Sequence, residues 1–151
     1  MLKRLMFIAA LLCSTPAMAS TADGAVAALD RPQFTRDIAE NRRQTLCLAL
    51  NLYHEARGST TQDLRAVGWV TRNRVSDRGT DYCRVIWEPG QFTWTRRSVG
   101  SLIPRELNAW HRVVGIAQQV MNGSVADPTN GARNFHVYNG RGMRIGAHRF
   151  F

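Results

Sequence analysis

The sequence predicts a mainly α (α+β) domain, helical throughout except for a small loop or hairpin region near the C-terminus, and three observations carry that reading. Apolar residues recur at helical spacing in three separate segments: Leu46, Leu50 and Tyr53; Leu64, Val67, Val70 and Val75; and Leu107, Trp110, Val113, Val114, Ala117 and Met121. Glycine, proline or threonine stands where those segments should start and stop. The closing stretch, ADPTNGARNFHVYNGRGMRIGAHRFF, is rich in Gly and Asn with only short apolar pieces. It reads as loops and a small hairpin, with the final aromatic residues folded back onto the core.

Taken in order, the 151 residues make one domain's worth of chain. Lys3 and Arg4 precede the short apolar run LMFIAALLC, and Ala17 and Ala19 give small residues at both key cleavage positions. That is the pattern of a secretory signal peptide over residues 1–19, which sends the chain to the periplasm or the medium. An uncleaved anchor is the rival reading, although the run is short for a membrane-spanning helix. Leu12 before Cys13 argues against a lipoprotein. Cleavage after Ala19 leaves 132 residues (151 − 19), enough for one sizeable core. It also removes Lys3 and Arg4, taking the formal charge from +9 to +7. Residues 20–40 are small, polar and mixed, and read as a flexible lead-in to a folded domain over 41–151.

The first helix is expected from about Gln44 to Ala56, with Gly58 as its C-terminal cap. A second runs from Thr61 to about Val75; Thr60 or Thr61 caps it, and Asp63 suits its positive end. SDRGTDY is a turn, CRVIW either a helical turn or a strand, and EPGQFTWT a loop bent by Pro89-Gly90. The third helix is expected from Pro104, a residue suited to a first helical position, to Gly123.

Loss of the signal removes Cys13 and leaves Cys47 and Cys83. Two cysteines in an exported domain are expected to pair, closing a loop of about 37 residues for about 3–4 kcal/mol of stability. Neither belongs to a C-x-x-C pair, so neither a zinc ribbon nor a redox motif is supported. The positive charge suits anionic cell-envelope polymers or a membrane surface. The arginines are scattered and form no long block, so nucleic acid is not an expected partner.

Glu55 ends an apolar helical run, one position past His54. Two readings stand: a surface charge on an exposed last turn, or a carboxyl whose acid form is favoured by desolvation and which protonates a leaving oxygen. A zinc helix of the H-E-x-x-H kind fails, because Gly58 occupies the second histidine's position; no metal and no cofactor is expected. Nor is there a G-x-S-x-G elbow. GQFTWT combines amide and aromatic side chains, as sugar sites do, but core aromatics pinning a loop would look the same. Phe135, His136, Tyr138 and His148 make a second aromatic and imidazole group.

These segments together resemble the SleB-type cell wall hydrolase family, which includes spore-cortex-lytic enzymes. The likeness lies in CLALNLYHEARG (47–58), AVGWVTRNRV (66–75), YCRVIWEPGQFTW (82–94), DPTNGARNFH (127–136) and IGAHRFF (145–151), in the family's order. The resemblance implies a fold similar to lysozyme-like lytic transglycosylases, with 41–151 as the catalytic domain. It makes Glu55, the glutamate of E-A-R-G, the catalytic acid, and has Gln91 and Phe92 line a glycan cleft. Thr93, Tyr53, Asn134 and His148 are the further candidate substrate contacts. The family's usual longer stretch before the closing I-G-x-H-x-F is here only Val137 to Ile145, which predicts a trimmed far side of the cleft.

The implied partner is the glycan strand of peptidoglycan, met by a monomer. The implied reaction cleaves the bond from N-acetylmuramic acid to N-acetylglucosamine, closing a 1,6-anhydro ring on the muramic residue. Glu88, Glu106 and Asp127 are the evident candidates for a second acid, which leaves ordinary hydrolysis as a variant. A secreted, non-catalytic wall-binding or polyanion-binding module is the alternative of another class; it would keep the aromatics and the charge but not need Glu55.

Overall fold

A computed structural model of the chain describes residues 32–151 apart from Tyr138. The expected signal peptide and residues 20–31 of the lead-in lie outside the described residues. Residues 37–151 form one compact unit and carry the architecture below; of the separate unit over 1–36, the described part is the start of a helix, where Arg36 donates to Gln33 Oε1 at 3.1 Å.

The described chain is mainly helical, with a small antiparallel sheet near its C-terminus, as an α-rich, lysozyme-like domain should be. Helix α1 spans Pro32–Ala56 and α2 spans Thr61–Arg78. The short helices α3, Tyr82–Trp87, and α4, Val99–Leu102, flank a 3₁₀ turn at Thr93–Arg96, and α5 covers Leu107–Asn122. Strands β1 (Phe135–His136), β2 (Met143–Ile145) and β3 (His148–Phe150) follow, with β3 in the middle of the sheet. Phe135 pairs with Phe150, and Ile145 with His148.

The helical spacing finds its core. Leu48, Leu52 and Ala56 of α1 meet Leu64, Val67 and Val70 of α2 and Val113, Ile116, Ala117 and Val120 of α5, and Ile145 and Phe150 close over them. Gly68 lets the helices approach: a Cβ there would stand 3.1 Å from Val120 and 3.6 Å from Leu52. A second cluster gathers Cys47, Cys83, Ile86, Phe92 and Trp94. Cys47 and Cys83 are bonded to each other, tying α3 to α1. Beside them Gln44 Oε1 accepts the N–H groups of Tyr82 (2.8 Å) and Cys83 (3.3 Å), satisfying donors that the start of α3 leaves free.

Several boundaries differ from expectation. Helix α1 begins at Pro32 instead of near Gln44, so residues 32–40 of the expected lead-in are helical. Arg43 pairs with Glu40 within it, and polar residues on an exposed face hide the period that sequence reading relies on. Gly58 is not the expected left-handed cap; the helix closes instead through Ser59 N–H to the Ala56 carbonyl. Helix α2 runs on to Arg78, where Gly79 takes the left-handed conformation. CRVIW is helical. Helix α5 starts at Leu107, past Pro104, because Tyr53 Oη accepts the N–H groups of Arg105 (3.2 Å) and Glu106 (3.3 Å) and holds that segment extended.

Candidate active site

Helix α1 delivers Glu55 to its last turn, between the core residues Leu52 and Ala56. The carboxyl is half-buried on the wall of a cleft of about 490 Å³ lined by His54, Arg57, Glu106, Val137, Ala147 and His148 among others. Burial pushes the Glu55 pKa up; the positive charge of His148, Arg97 and Arg74 pulls the other way without cancelling the shift. No hydrogen bond from a described residue reaches this carboxyl, so the anion draws only on those more distant charges.

The wall behind Glu55 is rigid. His54 stacks on Trp94 with ring centroids 4.6 Å apart and donates from Nε2 to the Leu102 carbonyl at 3.1 Å. Burial depresses the His54 pKa and keeps the ring neutral. Trp94, 1 % exposed, donates to Asn51 Oδ1 at 3.1 Å, and Asn51 Nδ2 donates to Thr71 Oγ1 at 3.2 Å. This buried polar chain welds α1, α2 and the 3₁₀ turn together beneath the cleft.

The expected substrate residues fall into four groups. His148 lines the cleft with Glu55. Gln91 and Asn134 meet at a separate polar recess of about 250 Å³, joined by Arg74, whose guanidinium donates to Gln91 Oε1 at 3.2 Å and Asn134 Oδ1 at 3.4 Å. Tyr53 and Phe92 correct the expectation: they are 5 % and 4 % exposed and serve the core. The Tyr53 hydroxyl is taken by the two backbone donors described above, and Phe92 packs in the disulfide cluster under the Arg74 guanidinium, 5.6 Å from its ring. Thr93 is exposed at the start of the 3₁₀ turn. Tyr138 lies outside the described residues.

Three carboxylates stood as candidates for a second acid. Asp127 is consumed by structure: its oxygens accept from Thr129 N, Thr129 Oγ1, Gly131 N and Asn73 Nδ2, which fixes the 127–131 loop to α2. Glu88 is paired with Arg78 on another cleft of about 630 Å³, bordered by Arg84 and Trp87 and not by Glu55. Glu106 alone of the three shares the Glu55 cleft, and Arg57 holds it at 2.7 Å.

Sequence reading missed two residues. Arg74 is one turn from the end of α2, and burial lowers its pKa. Its reach across to Gln91, Asn134 and the Arg133 carbonyl (2.6 Å) leaves no trace in local spacing. Asp63, expected only to suit the positive end of the helix, is wholly buried and bonded to His148. The only signal was a threonine three positions earlier: Thr60 caps α2 by accepting the Asp63 N–H at 3.2 Å.

Fold and cleft place the molecule among α-rich, lysozyme-like domains. Comparison with known families narrows this: residues 58–151 match the family described as Cell Wall Hydrolase, and the chain belongs to that family. It is a cell wall hydrolase, and peptidoglycan is the substrate that membership implies. The matched span begins three residues after Glu55. No curated protein and no solved structure matches the chain.

Proposed function

We propose that the protein cleaves the glycosidic bond from N-acetylmuramic acid to N-acetylglucosamine, with Glu55 as the general acid. The observation that carries this reading is the carboxyl itself: half-buried on a cleft wall, without a hydrogen bond from the described residues, and raised in pKa by burial, it is disposed to keep a proton that it can give to a leaving oxygen. As the C1–O4 bond breaks, its electrons go to the oxygen that Glu55 protonates, and the substrate's acetamido group supports the oxocarbenium-like centre. The Glu55 carboxylate then accepts the proton of the muramic C6 hydroxyl as that oxygen closes on C1, giving a 1,6-anhydro end. One carboxyl serves both steps, unlike two-acid glycosidases.

Glu106 favours a second reading. It is a carboxylate on the same cleft, and release from Arg57 would free it to activate water for ordinary hydrolysis. In either case Gln91 and Asn134 position the glycan from the recess beside Arg74. Residues 41–151 act as the catalytic domain, and 1–19 as a signal that takes the chain to the periplasm or beyond. The Cys47–Cys83 bond supports export, since such bridges persist in oxidising compartments.

The test is Glu55→Gln on purified peptidoglycan, with released fragments read by mass spectrometry. The folded variant should lose roughly 10²–10⁴-fold of activity, the usual worth of a positioned acid. Near-native turnover would remove Glu55 from the chemistry. Anhydro ends as the main product support the transglycosylase; reducing muramic ends move the second role to Glu106.

A further inference from the structure

Asp63 and His148 form a buried ionisable pair at the edge of the Glu55 cleft. Asp63 is 0 % exposed and the His148 side chain 4 %, with Nδ1 and Oδ1 2.8 Å apart. Burying two such groups costs several kcal/mol per ion before their attraction repays it, and apolar residues would pin the sheet to α2 as well or better. The fold nevertheless goes to some length to keep the pair. Asp63 Oδ2 accepts the Ala147 N–H at 3.0 Å. Gly146, at φ +59°, sits so close that a Cβ there would stand 2.7–2.8 Å from the Asp63 side chain. The β2–β3 turn is thus shaped around this carboxylate. Burial alone would raise the Asp63 pKa, but the His148 hydrogen bond, the Ala147 N–H and Ser59 outweigh it and hold the group ionised.

We infer that His148, fixed by Asp63, is the electrostatic partner of Glu55: it stabilises the carboxylate that Glu55 becomes on giving up its proton. The inference rests on Glu55 being the acid. Asp63 occupies Nδ1, so the Nε2 edge is the one left to meet the cleft that His148 shares with Glu55. Phe135 stands edge-on to the imidazole at 5.3 Å and Phe150 lies at 6.1 Å, so the ring works in apolar surroundings where charge is poorly screened. Among the groups that pull the Glu55 proton off, His148 acts most strongly, ahead of Arg97 from the loop and Arg74 from α2. Glu106 and its partner Arg57 also line the cleft, and Arg149 follows His148 on β3, paired with Arg144 of β2. His148 is a positioning residue here: no bond to it forms or breaks while the Glu55 proton passes to the glycosidic oxygen.

The experiment is to titrate Glu55 by carboxyl ¹³C NMR and to record the pH profile of kcat/KM on soluble glycan strands, for the native protein, His148→Gln and Asp63→Asn. Removing the imidazole should move the Glu55 midpoint up by about one pH unit. The alkaline limb of the profile, where the acid loses its proton, should move with it. Asp63→Asn should shift both in the same direction by less. A lowered melting temperature with an unmoved Glu55 midpoint in either folded variant would overturn the inference. Failure of the acid assignment is separate: Glu55→Gln would then keep its activity whatever the NMR midpoint does.

Discussion

Gly146→Ala tests the β2–β3 turn most sharply. The glycine has φ +59°, and an alanine in that left-handed conformation costs about 1–2 kcal/mol on its own. The added methyl would also lie 2.7 Å from Asp63 Oδ2 and 2.8 Å from its Cβ and Cγ, inside any real contact distance, so the carboxylate must move. Asp63 then loses its bonds to Ala147 N–H and the His148 ring, and a buried hydrogen bond to a charged group is worth roughly 1.5–3 kcal/mol. Together the loss should be about 4–8 kcal/mol, comparable with the 5–15 kcal/mol that typically holds a domain together. Urea unfolding followed by circular dichroism reads it as a lower midpoint at unchanged slope. A loss below about 1 kcal/mol would refute the reasoning, because it would mean the turn can yield without disturbing Asp63.

Replacing Cys47 and Cys83 together by alanine should cost about 3–4 kcal/mol, the loop-closure value for a separation of 36 residues, and equilibrium unfolding of oxidised and variant proteins measures it. Thr60→Ala should cost about 1 kcal/mol by leaving the Asp63 N–H without its acceptor, seen as a small fall in the unfolding midpoint. The depressed Asp63 pKa stabilises the fold above the ordinary carboxylate value near 4 and loses that contribution as pH falls through the folded value. Stability measured downward from about pH 5 should therefore drop more steeply for the native protein than for Asp63→Asn.

The helices were legible because their apolar faces pack on one another. Leu64, Val67 and Val70 keep the 3.6-residue period, and all three are fully buried. The early part of α1 was not legible, because an exposed helical face needs no apolar stripe and Arg43–Glu40 looks like any loop pair. Glu55 stood out by its motif and its place at the end of an apolar run. The candidate sugar contacts divided by burial, which composition does not report: Gln91 and Asn134 face a recess, while Tyr53 and Phe92 are core residues. Asp63 and His148 are 85 positions apart, and no local period links a helix start to a terminal strand. The three-stranded sheet was seen only as a small hairpin, since strands of two or three residues carry almost no alternation.

The order of strands in that sheet bears on when the enzyme comes into being. β1 and β2 do not touch; each pairs only with β3, which follows both in sequence. During synthesis, then, neither earlier strand has its partner until residues 148–150 arrive. The same three residues bring His148 to the cleft and the ring of Phe150 to the core. The helices around Glu55 can collapse well before this, yet the far wall of the cleft remains unbuilt. A catalyst built in this order lacks His148 at its cleft until β3 has paired, so one strand completes both the sheet and the site.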